Sequence, residues 1–212
     1  KNQTIAKGKE AEQRHAEPET EPAQSEKTRE LLQWRGIDRF LDKEPPKPDL
    51  LFRGKDWEIR SNLITAIFAT GGTGKTFLGL QLAASLATGV SLEPFTPARK
   101  RKVLYLCGED SEEILHERLH AIYKNMPGLA ESRDDLSRNL CVESLVGKDR
   151  VPLQLDENRN PTTTETFARL NETIKSIPGL EVLVIDPMGK FHRLEENNNG
   201  HANAWISALE QL

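Results

Sequence analysis

Residues 69–76 read Ala-Thr-Gly-Gly-Thr-Gly-Lys-Thr, and few folds can use such a stretch. Gly71, Gly72 and Gly74 let the backbone curl so that successive N–H groups point inward, as an anion requires. The spacing is that of G-x-x-x-x-G-K-[ST], with Ala69 in place of the first glycine. In that pattern the segment from Thr70 through Thr73 to Phe77 wraps a nucleotide's phosphates. Lys75 reaches the β- and γ-phosphates, and the Thr76 hydroxyl can ligate Mg²⁺. The flanks agree. Leu63–Phe68 is an apolar, β-branched run that predicts a buried parallel strand. Residues 77–87 predict a helix that is apolar nearly all round, closed by Gly89 at its C′ position. Strand, glycine loop and helix N-terminus together make an anion site favoured by the helix dipole.

The rest of the 212-residue chain is read around that loop. Hydrophobic residues make up 36% and charged residues 29%, so part of the chain is expected to stay outside any core. That part is residues 1–30, a charged segment expected to be disordered or a solvated helix. Residues 31–49 should hold a short amphipathic helix, with Trp34, Ile37, Phe40 and Leu41 at helical spacing, and a proline-rich linker. Its apolar stripe needs a partner, either its own core or a neighbouring subunit. Beginning at Lys1 and stopping at Leu212 inside a helical pattern, the chain reads as a fragment.

From residue 50 to 212 strands and helices alternate. Lys102–Cys107 predicts a second buried strand, and Asn139–Glu143 a weaker one. Leu180–Asp186 is the last strand. A helix opens at Glu109-Asp110-Ser111, with Asp110 and Glu113 as a capping box, and another at Thr162 with Glu165. Residues 148–161 read as loop, and a final helix begins at Asn203. The fold class is therefore α/β: a mainly parallel sheet flanked by helices, with right-handed crossovers. A net charge of −4 offers no global field for nucleic acid. Cys107 and Cys141, the two cysteines, sit in apolar runs and read as buried, reduced thiols of a cytoplasmic protein. No apolar run reaches membrane-spanning length, so a soluble protein is expected.

In open α/β sheets, ligands bind outside the carboxyl ends of the strands. Asp186 ends its strand there, where a carboxylate can hold Mg²⁺ beside Thr76, often through water. Glu109 lies just past the neighbouring strand. Asp186 being committed to metal, Glu109 is the expected base for an attacking water, with Asp110 as its substitute.

Three stretches carry a resemblance: Ala69–Ala83; Leu104-Tyr105-Leu106-Cys107-Gly108-Glu109-Asp110 with His116–His120 behind it; and Val184–His192 followed by Glu195 and Glu196. The chain from about Pro48 resembles the RepA-type hexameric replicative DNA helicases, within the RecA/DnaB-like P-loop ATPases. Pro187 departs from that pattern, in which a small polar residue usually follows the aspartate. The resemblance implies a RecA-like core and a homo-oligomeric ring with ATP between subunits. It also implies single-stranded DNA in a central channel, Glu109 as the catalytic carboxylate, and an active-site role for Arg118. It places a γ-phosphate sensor and an arginine finger beyond Leu212, so the core is expected to be truncated at its C-terminal end.

Other signals compete. His116-Glu117-Arg118-Leu119-His120 matches H-E-x-x-H, a zinc-hydrolase helix, with Glu143 a conceivable third ligand. Arg99-Lys100-Arg101-Lys102 is a dense basic run, expected to be a solvated turn on the edge away from the phosphate loop. The segment after Asp186, with Lys190, Arg193 and an Asn197–Gly200 turn, suits sequence-blind contact with single-stranded DNA better. The expected activity is ATP hydrolysis driving a helicase. A nucleotide-dependent regulator or assembly ATPase without unwinding is the alternative. A small-molecule phosphotransferase would need a lid and acceptor pocket that the sequence does not reveal.

Overall fold

The computed structural model describes residues 36–195 and 197–212. Trp34 and the charged segment 1–30 lie outside the described residues. The chain divides into two compact units between Pro46 and Lys47. In the first, a single helical turn, α1 (Asp38–Leu41), leaves Ile37, Phe40 and Leu41 exposed.

The second unit carries two antiparallel strands, β1 (Leu50–Arg53) and β2 (Glu58–Arg60), before α2 (Lys75–Thr88). After α2 come β3 (Thr96–Pro97), β4 (Lys102–Cys107), α3 (Glu112–Asn125), α4 (Arg133–Asn139) and β5 (Leu140–Ser144). A hairpin follows, β6 (Leu153–Leu155) and β7 (Pro161–Thr163), then α5 (Glu165–Ser176) and β8 (Leu180–Asp186). The chain closes with β9 (His192–Arg193) and α6 (Asn199–Leu209).

The main sheet has the order β5-β4-β8 and is parallel throughout. Side chains alternate across its central strand. Val103, Tyr105 and Cys107 join Leu80, Ala83 and Ala84 of α2 and Leu115 and Ile122 of α3 in one core. Leu104 and Leu106 face the other way, into a second core with Phe191 and Trp205, against which Phe167 and Leu170 of α5 pack. Helices therefore cover both faces, which is why β4 reads as a continuous apolar run rather than an alternating one. The small side chains of α2 let that helix lie close to the sheet. It is buried along its C-terminal half, from Ala83 to Thr88.

Several expectations need correction. Leu63–Phe68 forms no strand, and Leu63 and Phe68 are 65% and 82% exposed. A parallel strand needs a neighbour to complete its ladder, and among the described residues none pairs with this run. Residues 148–161 are not all loop, because β6 pairs with β7 and, in parallel, with β9. The cap of α3 is Ser111, whose hydroxyl accepts from the Ile114 N–H, and not Asp110. Likewise α5 starts after Thr164 rather than Thr162. The Asn197–Gly200 turn is the start of α6, where the Asn198 side chain accepts from the N–H groups of Gly200 and His201. Cys107 is buried but Cys141 is exposed.

The basic run is not a solvated turn. Arg101 is only 3% exposed and is held by Glu181 and Asp49. Arg99 pairs with the same two acids, Lys100 with Asp135, and Lys102 donates to the carbonyl of Pro178. The run knits the segment leading into β1 to the amino ends of β4 and β8. Among the described residues no helix is long and apolar enough to cross a membrane.

Candidate functional site

The glycine loop leads directly into α2. Gly72 and Gly74 adopt φ of +76° and +85°, values that L side chains rarely take. A Cβ at Gly71, Gly72 or Gly74 would meet nothing within 4 Å. The demand for glycine at 72 and 74 is therefore conformational rather than steric, and the hollow beside the loop is open. Thr73 closes the curl through its hydroxyl, which donates to the Thr70 carbonyl at 2.9 Å. The Lys75 ammonium donates to the carbonyls of Ala69 and Thr70, both at 2.8 Å. No acidic side chain occupies the first turn of the 14-residue α2. Its free N–H groups and positive dipole end are thus left to an outside anion. Phe77, in the first turn of α2, is exposed.

The opposing wall is built by the sheet. Parallel register sets Cys107 opposite Asp186, and Gly108 extends the ladder by donating its N–H to the Asp186 carbonyl at 2.8 Å. Asp186 falls on the same face of the sheet as Val182 and Val184, the face covered by α2. There Tyr105, fully buried, donates its hydroxyl to Asp186 Oδ2 at 2.7 Å, and the hydroxyl oxygen of Tyr105 lies 3.4 Å from the Thr76 carbonyl. Burial, and then the Asp186 carboxylate, push the Tyr105 phenol well above its usual range, so it stays a donor. One hydroxyl thus touches both the start of α2 and the end of β8.

Glu109 and Asp110, adjacent in sequence, face different ways. Glu109 is exposed at the carboxyl edge of the sheet. Asp110 turns inward, where its N–H meets the Cys107 sulfur and its carbonyl accepts from the Ser144 hydroxyl. Its carboxylate lies 2.5 Å from the Arg118 guanidinium. Burial raises the Asp110 pKa, Arg118 opposes this, and Asp186 and Glu109 add to it. Arg118 is therefore tied to Asp110.

Lys190 stands in a 3₁₀ turn (Met188–Lys190), with its Cβ packed over Gly108 at this same edge. Arg193 follows on β9, where the Thr166 hydroxyl first, and Arg169 and Arg193 to a smaller degree, hold the Asp149 carboxyl below its usual range. His116 and His120 stack edge-to-face on α3 with ring centroids 6.3 Å apart. Among the described residues no three His, Cys, Asp or Glu side chains converge to hold a metal, and Glu143 pairs instead with Lys148. The zinc-hydrolase reading lacks its third ligand.

Against known families, an AAA domain profile matches residues 25–212. The chain belongs to the AAA domain family. This is a family of P-loop ATPases of α/β fold, and the glycine loop, parallel sheet and flanking helices of this AAA domain are what such a fold needs. Tyr105 and Gly79 also stand at this wall, each with a faint signal in the sequence. The signals were a tyrosine among the aliphatics of β4 and a glycine inside a helix.

Proposed function

We propose that this AAA domain binds and hydrolyses ATP with Mg²⁺ and serves as the motor core of a replicative DNA helicase, a ring moving on single-stranded DNA. The observation that carries the ATPase reading is the convergence of Thr76 and Asp186 on the Tyr105 hydroxyl, at the sheet edge that also holds Glu109. In this reading the N–H groups from Thr70 to Thr76 cradle the phosphates and Lys75 leaves its loop carbonyls for the β- and γ-phosphate oxygens. The Thr76 hydroxyl and Asp186 carboxylate are hard oxygen donors of the kind Mg²⁺ takes when phosphates and water complete its shell. Mg²⁺ held by Thr76 and Asp186 would supply charge neutralisation for the transferring phosphate. Glu109 orients a water and takes its proton as the new O–P bond forms and the β–γ bridging bond breaks. The resemblance to RepA-type helicases extends this to a ring with DNA in its channel, contacted by Lys190 and Arg193.

A nucleotide-dependent switch without unwinding is the second reading. It is favoured by the internal pairing of residues 99–102 and the use of Asn198 as a helix cap, which engage those groups within the fold rather than leaving them for DNA. Strand displacement on a tailed duplex, run beside DNA-stimulated ATP turnover, separates the two. ATP-dependent displacement supports the motor. Turnover indifferent to single-stranded DNA, without displacement, supports the switch. Failure to bind ATP at all overturns both.

A further inference from the structure

α2 carries a glycine in its interior, which weakens a helix relative to alanine. Gly79 lacks the positive φ that would excuse it. Its reason is steric. A Cβ at Gly79 would stand 2.9 Å from the Tyr105 hydroxyl oxygen and 3.4 Å from its ring. The missing side chain makes room for a phenol that reaches from the middle of β4 to the end of β8. Tyr105 is among the largest fully buried side chains of the core. A phenylalanine would fill that volume equally well, so packing alone does not call for the hydroxyl. The hydroxyl's partner is Asp186 Oδ2, and among the described residues no protein group donates to Oδ1.

Resting on the ATPase reading above, we infer that Tyr105 is a positioning residue for the metal site and that Gly79 is the space it requires. By occupying Oδ2, the hydroxyl fixes the rotation of the Asp186 carboxylate and reserves Oδ1 for the ion or its water shell. Groups that hold a metal's ligands from behind typically change metal affinity about 10–100-fold when removed. The phenol contributes nothing to the phosphate cradle, whose donors are the loop N–H groups and Lys75. Tyr105 therefore acts on Mg²⁺ and leaves metal-free nucleotide binding alone.

The test is a titration of a fluorescent, non-hydrolysable ATP analogue into the intact protein, first in EDTA and then across a series of MgCl₂ concentrations. For Tyr105→Phe the affinity in EDTA should match wild type, while the Mg²⁺ concentration at half-effect rises about tenfold or more. Gly79→Ala, which pushes the hydroxyl away without removing it, should move the Mg²⁺ dependence in the same direction. A Tyr105→Phe protein whose Mg²⁺ midpoint equals wild type overturns the inference. So does one whose affinity falls equally in EDTA and in Mg²⁺, because that is loss of fold rather than of positioning. If wild type itself binds the analogue without responding to Mg²⁺, the assignment of Asp186 to the metal falls and this inference with it. If wild type binds no analogue, the fault lies in the ATPase reading itself.

Discussion

Arg101 and Glu181 meet at 2.8 Å on the edge of the sheet opposite the glycine loop. The buried guanidinium also reaches Asp49 at 2.6 Å, so two strands and the loop leading into β1 share one cation. Hydrogen bonds from Arg101 and then Ser61 hold the Asp49 pKa down to about 2. The hydrogen bond from Arg99 keeps Glu181 below its ordinary range. Both carboxyls have folded pKa values below their unfolded ones. Their stabilisation is complete above the ordinary carboxylate range and is lost as pH falls toward 2, because the unfolded chain binds protons first. The thermal midpoint should therefore drop steeply below about pH 4. The Asp49→Asn, Glu181→Gln double variant should start lower at neutral pH and show a flatter acid limb. An acid limb as steep as wild type's would assign the loss to other carboxylates.

The Asp110–Arg118 pair predicts a different kind of defect. Removing the guanidinium strands a buried carboxylate, at a cost of about 1–3 kcal/mol. Arg118→Ala should lower the urea midpoint accordingly, and Asp110→Asn combined with Arg118→Ala should recover part of the loss. A double variant no better than the single would mean that the pair is not coupled.

The parallel core was legible because apolar runs such as 102–107 and 180–186 answer to one cause, burial on both faces. Leu63–Phe68 has the same text and a different outcome, since a strand also needs a neighbour, and sequence pattern does not report neighbours. Arg101 misled for a related reason. A basic run looks solvated until its acids are found 52 and 80 positions away, at Asp49 and Glu181. The glycine loop's shape was readable because its causes are local: glycine conformations, one lysine and one helix start. The Tyr105–Asp186 contact was not, because it joins residues 81 apart through a strand register that only the fold sets. Glu109 and Asp110 show the remaining limit. Both were candidates by position, and only their opposite facing separates a solvent-exposed carboxylate from one tied to Arg118.

Lys75 should be functional without being structural. Its ammonium holds only exposed carbonyls of its own loop, so Lys75→Ala is expected to leave the thermal midpoint within about a degree, a surface-scale change. Nucleotide affinity should fall at least tenfold, since a charge-assisted contact worth about 1.5–3 kcal/mol is lost. Calorimetric titration with ATP measures the second effect and differential scanning fluorimetry the first. Retained affinity would remove residues 69–76 from the site.

Gly108 links the sheet edge that carries Glu109 to the turn that carries Lys190. A Cβ there would stand 2.9 Å from Lys190 Cβ, 2.9 Å from a ring carbon of Phe191 and 3.3 Å from Arg150 Cδ. Phe191 is fully buried and Lys190 Cβ is fixed by the backbone, so neither can swing aside cheaply. Overpacking of this kind costs about 1–3 kcal/mol. The strain should be relieved by moving the end of β4 against the 188–191 turn, and Glu109 is the next residue to move. A misplacement near 1 Å can cost about 100-fold in rate. Gly108→Ala should therefore lower both the unfolding midpoint and ATP turnover, while nucleotide affinity, set by the loop and α2, stays within about threefold. Glu109→Gln supplies the control. It removes the base without adding volume, so turnover should collapse with the midpoint and affinity unchanged. If Glu109→Gln turns over at the wild-type rate, Glu109 is not the base. If Gly108→Ala loses affinity as sharply as turnover, the Gly108 edge supports binding rather than the placement of Glu109.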